Sequence, residues 1–325
     1  MSLASFATGA AARARRWARR LLLASAATGL ALVAYFQLPA LAYYWAHTAQ
    51  HAEAQRPQSL WLPDYQAAVQ ARPVAGVRKN LSGLTYSRHT GTLFATTNSP
   101  AQVAELTTDG EVLRTMPIHG ARDTEDITHI DGEQFVLSDE RSNTVYTVDI
   151  GPDTREIHVR APLAVPLESL HENLGIEALY WDAGRQRLLV GQEKWPLRLV
   201  GIDGTEGTAP SGLTPPSRMV VQDWNSQGLG ALFINDLAAV SAHAASGNLL
   251  LLSEESAMVV EYTPQGHPVS LLPLWGGLHG LERKIPQPEG MALAPDGRLF
   301  IVSEPNLFYR FEKPAVTARS STAPV

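Results

Sequence analysis

Glu289-Gly-Met-Ala-Leu-Ala-Pro-Asp-Gly-Arg-Leu-Phe-Ile-Val-Ser-Glu304 decides the fold. It reads as a short apolar strand, a Pro-Asp-Gly turn, and a second apolar strand that ends on Ser303-Glu304. Weaker copies run from Ser82 to Asn98, Glu125 to Asp139, Glu177 to Glu193 and Ala238 to Glu254. Within each copy about 15 residues separate the opening of one strand from the end of the next, while the spacing between copies is looser. Stacked β units with variable outer loops produce that combination.

After each second strand comes a third apolar segment: Val103–Leu106, Thr144–Val148, Leu197–Val200, Met258–Tyr262 and Leu307–Phe311. Several run into turns that need positive φ, such as Thr108-Asp-Gly110, Asp203-Gly204 and Pro264-Gln-Gly266. Glu111–Met116 and Arg155–Val159 read as fourth strands. Three or four antiparallel strands repeated about every 50 residues predict an all-β fold, a β-propeller over 80–312 with five blades. The long segment 205–235 leaves room for a sixth. No Gly-rich strand-to-helix turn is present, which argues against a doubly wound α/β fold.

The chain has 325 residues, no cysteine and a net charge of −6. Disulfides, thiolate metal sites and cysteine nucleophiles are excluded. Arg13, Arg15, Arg16, Arg19 and Arg20 stand in an N-terminal stretch, 1–20, without a single acid, so the body is more acidic than the total suggests. An acidic body excludes nucleic acid as a partner, because its phosphates are repelled.

Leu21 to Phe36 is an unbroken apolar run, extended to Trp45 with Tyr43 and Tyr44 beside it. Residues 21–45 are expected to be a single membrane anchor, with the arginines holding 1–20 in the cytoplasm and the body outside. The alternative is a signal peptide cleaved near Ala42. Both export the body. Residues 46–79 are expected to be a linker with a short helix at Pro63–Gln70, and 313–325 a polar tail.

First strands line a propeller's central channel. The repeat places Glu125, Glu177 and Glu289 there, with Ser82 and Ala238 in the matching slots of the other two blades and Asp236 just before Ala238. The ends of the second strands add Asn98, Asp139, Glu193, Glu254 and Glu304. Carboxylates forced together relieve their repulsion by taking up protons or a hard cation, and Ca²⁺ accepts such an irregular set of oxygens. The competing interpretation makes these acids solvated loop residues, or partners of Arg122, Arg141 and Lys194. Ser82, Ser138, Ser253 and Ser303 lack the G-x-S-x-G setting of a nucleophile. His119, His129, His171 and His279 are candidates for the channel mouth, yet the ten histidines show no paired spacing that marks a zinc site. Trp181, Trp195, Trp224 and Trp275 are candidates to stack a sugar or aromatic ligand, but most of them are expected to pack blades instead.

These motifs resemble the SdiA-regulated family (YjiK-like proteins) of Gram-negative bacteria. The resemblance rests on Leu93–Asn98, Ala104–Gly110, Gln134–Arg141, Ile285–Gly290 and Ile301–Phe311. It implies a β-propeller behind an N-terminal membrane segment, facing the periplasm from the inner membrane. The chain departs from the family at Ala238-Ala239, where Ser-Gly is usual, which weakens that blade's share of any channel site. The expected function is binding of a small molecule or periplasmic protein with Ca²⁺ at the acidic channel. The alternative is a calcium-dependent hydrolase of lactonase or phosphoesterase type.

Overall fold

The computed structural model describes residues 3–35, 38, 44, 56–165, 167, 175–193, 197–203, 220–227 and 233–314. Ala42, Tyr43, Trp45, His171, Lys194, Trp195 and most of the expected tail lie outside these residues. The chain divides into two compact units, Met1–Gln50 and His51–Val325. The first contains helix α1 (Leu3–Tyr35), which leaves Leu21, Leu22, Leu23 and Leu30 exposed. No helix among the described residues is long and apolar enough to cross a membrane.

The second unit is a five-bladed propeller. Strand β1 (Gln66–Pro73) precedes the first blade, which contains β2 (Leu81–Tyr86), β3 (Leu93–Asn98), β4 (Ala101–Leu106) and β5 (Val112–His119). The second blade has β6 (Ile127–Asp131), β7 (Gln134–Asp139) and β8 (Thr144–Asp149). It ends on β10 (Arg160–Ala164), after a short β9 (Ile157–His158) that pairs elsewhere. The third contains β11 (Ile176–Asp182), β12 (Arg187–Gln192), β13 (Arg198–Asp203) and β14 (Val220–Trp224). The fourth has β15 (Ala239–His243), β16 (Asn248–Ser253), β17 (Met258–Tyr262) and β18 (Pro268–Pro273). The fifth is β19 (Pro288–Leu293), β20 (Leu299–Ser303) and β21 (Leu307–Glu312), completed on its outer edge by β1.

Blades are predominantly apolar on both faces, as the near-continuous burial of β16, β17 and β20 shows, because each blade packs between two others. The core is therefore divided into clusters between neighbours. Phe94, Met116, Phe135 and Leu137 join blades one and two, and Val136, Ile176, Leu188 and Val200 join two and three. Leu250, Val259, Met291 and Ile301 join four and five; Leu84, Ala95, Phe300 and Phe308 close the ring between five and one. Near the axis the inner strands crowd together. A Cβ on Gly83 would stand 2.3 Å from Asp126 Oδ1, and one on Gly290 2.3 Å from the Ser82 carbonyl oxygen. That closeness explains the Ser-Gly and Glu-Gly pairs that open blades one and five.

Three expectations are corrected. The segment 46–79 is not merely a linker, and Pro63–Gln70 is not a helix. Leu62–Asp64 forms one 3-10 turn, and β1 follows, pairing antiparallel with β21. The domain therefore begins before residue 80, because an open fifth blade would leave the edge of β21 unpaired. Arg155–Val159 is not the fourth strand of blade two. Ile157–His158 instead pairs in parallel with Ile118–His119 of blade one, and the outer strand of blade two follows at β10. Lastly, the described part of 205–235 supplies β14 to blade three and no sixth sheet.

Candidate functional site: an acidic channel

All five blades bring their first-strand slot to one central cavity, lined by Ser82, Glu125, Glu177, Ala238 and Glu289. Glu193, Glu254 and Glu304 enter from the residue just past β12, β16 and β20, and Asp236 from the approach to β15. A cavity of about 180 Å³ lies among them. None of the described lining residues is basic.

Electrostatics follow from this crowding. Burial, reinforced by the charges of Glu254, Glu304 and Glu125, pushes the Glu289 carboxyl up to about 8. Burial likewise drives Glu177 well above the carboxylate range, with Glu125, Glu140, Glu193 and Glu289 all adding repulsion. Glu125 is also raised by burial, although two donors oppose the shift: Ser82 Oγ at 3.0 Å and Asn98 Nδ2 at 2.9 Å. The Glu304 carboxyl is raised by burial and partly relieved by Lys79. Such mutual repulsion is relieved either by protons or by a cation.

Of the residues expected at the site, Glu125, Glu177, Glu193, Glu254, Glu289 and Glu304 converge on the cavity, and Asn98 borders it through Glu125. Asp139 does not join them. Its Oδ2 accepts from the Arg122 backbone N–H at 2.9 Å, and its Oδ1 accepts from the Ser142 N–H and hydroxyl at 3.1 and 2.9 Å. The residue is spent on its own turn. The next position, Glu140, replaces it: its carboxyl is pushed up to about 7 by burial and by Glu125. Oxygens of Asp123, Glu125 and Glu140 lie within 4.8 Å of one another. Only the backbone course after β7 reveals this one-residue offset.

Other candidates fall away from the axis. His119 ends the outer strand β5, and His279 Nδ1 meets the Tyr65 carbonyl at 2.9 Å. Trp181 is buried between blades two and three, and Trp224 Nε1 donates to the Pro264 carbonyl at 3.0 Å. Arg141 does pair with Asp123, at 3.5 Å, but is largely exposed.

The donor set suits a hard cation. Among the described residues the polar lining groups are carboxylates and a hydroxyl, without imidazole, and Asn98 Oδ1 is buried without a hydrogen-bond partner. Among the described residues, Asp123, Glu125 and Glu140 are the acids close enough together to hold such an ion.

Fold and site define a β-propeller with a carboxylate-lined channel. The chain belongs to the SdiA-regulated family, whose profile matches residues 57–312. Among solved structures, a glutaminyl cyclase from Myxococcus xanthus is similar with a TM-score of 0.51 at 15% identity, covering 76% of this chain and 95% of that one. A gluconolactonase from Xanthomonas campestris gives 0.44 at 12% identity, covering 77% and 97%. At these identities the likeness concerns the fold alone.

Proposed function

We propose that this protein is a binding propeller whose acidic channel takes up Ca²⁺ and, with it, a small molecule or periplasmic protein. The observation that carries the proposal is the convergence of carboxylates from several blades on one cavity whose described lining residues include no basic one. With its carboxyl pushed up to about 8, Glu289 keeps a proton near pH 7 that neutralises part of the ring, and a cation would replace it. Nucleic acid remains an unsuitable partner for this charge.

The membrane assignment belongs to the same proposal. Five arginines precede the apolar run Leu21–Phe36, and α1 exposes Leu21, Leu22, Leu23 and Leu30. Anchored in the inner membrane, α1 places the propeller in the periplasm; cleavage near Ala42 releases it there instead. Alkaline extraction of membranes separates these outcomes, since an anchored chain stays in the pellet at full length.

The test of the channel is calorimetric titration of the full-length chain with Ca²⁺, repeated on Glu125→Gln/Glu140→Gln. Saturable binding with proton release, lost in the double variant, is expected. No heat at millimolar Ca²⁺ and no change in melting temperature would sink the cation and any function depending on it.

A calcium-dependent hydrolase is the second reading. Glu140, with its carboxyl held at about 7 beside Glu125, is suited to accept a proton near neutral pH. Turnover of a lactone, ester or phosphoester panel that Glu140→Gln abolishes would favour it over binding alone.

A further inference from the structure

Helix α1 changes character abruptly along its length. Its apolar half begins at Leu21, and the two turns before it carry Arg15, Arg16, Arg19 and Arg20. All of these arginines are exposed, as is Trp17 beside them. The unit Met1–Gln50 contains no Asp or Glu, the first acid of the chain being Glu53, so no side chain within the unit balances this charge.

Helical geometry gathers the charges into a collar. At about 1.5 Å per residue, Arg15 to Arg20 stand within about 9 Å of Leu21 along the axis. At about 100° per residue they fall on an arc of about 140°, with Trp17, Ala18 and Leu21 on the remaining surface. The Arg20 guanidinium lies over the Trp17 ring, 5.9 Å from its centroid, so indole and charge share one patch.

We propose that Arg15, Arg16, Arg19 and Arg20, with Trp17, bind the headgroups of anionic phospholipids in the membrane that takes up the apolar run from Leu21. The inference rests on the anchored reading of that run and adds to it a preference among lipids. A headgroup layer is about 5–8 Å deep on each side of the hydrocarbon, close to the length of the collar. Because α1 is unbroken from Leu3 to Tyr35, seating its apolar half fixes the depth of the arginines. Guanidinium groups meet phosphate oxygens through paired N–H donors, and each arginine near an anionic surface strengthens attachment about fivefold. Trp is at home in the same interfacial layer. A soluble anionic partner would not require the charge to abut the apolar run, whereas lipid phosphates lie only there.

The test uses the full-length, uncleaved chain, freed of lipid in neutral detergent and mixed with equimolar phosphatidylglycerol and phosphatidylcholine. Native mass spectrometry should show phosphatidylglycerol retained at least about fivefold over phosphatidylcholine. Arg15→Gln/Arg16→Gln/Arg19→Gln/Arg20→Gln should abolish the preference, and glycerol phosphate, a headgroup without chains, should not compete. The substitutions lie outside the propeller unit, whose melting temperature should not move. Equal retention of the two lipids by wild type, an unchanged preference in the glutamine variant, or displacement by glycerol phosphate overturns the proposal. Flotation with phosphatidylcholine vesicles checks the anchored reading separately. Wild type and the glutamine variant should both float, and a chain that stays behind refutes the anchor itself, whatever its lipid preference in detergent.

Discussion

Buried carboxylates occur in two settings in this molecule, and the contrast between them locates the site. Glu261, on β17, is fully buried, yet its oxygens are filled. Oε1 accepts from the Leu60 N–H and Asn248 Nδ2, both at 2.8 Å; Oε2 accepts from the Trp61 N–H at 3.1 Å and Ser270 Oγ at 2.5 Å. Asp126 is likewise bonded, Oδ1 taking the Ile127 N–H at 2.7 Å and Oδ2 the Leu179 N–H of blade three at 2.6 Å, although burial still drives its carboxyl well above the usual carboxylate range. These acids join segments of the fold. Glu177 and Glu289 face other acids instead, and their charge is opposed rather than satisfied. Buried charge alone does not mark a site; a shortage of donors around it does.

The comparison makes opposite predictions for similar substitutions. Glu261→Ala should give the largest effect, a loss of about 3 kcal/mol or more, because it strands buried donors. Urea unfolding measures it, and a loss under about 1 kcal/mol would show that the Leu60–Leu62 segment is not held this way. Glu289→Gln should act in the other direction and stabilise the cation-free protein at pH 8, by about 2 kcal/mol, since the folded state no longer carries an opposed charge. Equal or lower stability there would contradict the raised carboxyl.

A pH course of the cation-free protein sharpens the point. With its folded value near 8 against an ordinary 4.5, Glu289 keeps a proton that the unfolded chain gives up between these limits. Its contribution is complete below about pH 4.5 and fades as pH rises to 8, so the melting temperature should fall over that window. Glu289→Gln should flatten the fall. The smallest effect belongs to Arg141→Ala: its pair with Asp123 is largely exposed, and thermal unfolding should shift by no more than about 0.5 kcal/mol.

Most of the propeller could be read directly because a blade carries its own punctuation. The third strand expected at Met258–Tyr262 is β17 to the residue, and Leu307–Phe311 falls short of β21 by one. Recurrence of an acid in the first-strand slot likewise announced Glu125, Glu177 and Glu289 as neighbours. What escaped depends on partners remote in sequence. Gln66–Pro73 has no strong alternation, because it is an outer strand whose burial changes irregularly across bulges in its pairing with β21. Asp139 fits the repeat, yet the turn at Ser142 captures its side chain. His119 and His158 looked scattered because a parallel register, not chain spacing, sets them side by side.

The pairing of β1 with β21 has a consequence for biogenesis. The strand that seals the ring is the first of the propeller to leave the ribosome, and its partner is the last. Four blades can assemble from local hairpins as they are translated, but Gln66–Pro73 must wait, edge uncovered, until Leu307–Glu312 is made. A chain cut short before β21 therefore leaves two unsealed edges at once, and such a fragment presents itself to chaperones and proteases as unfinished.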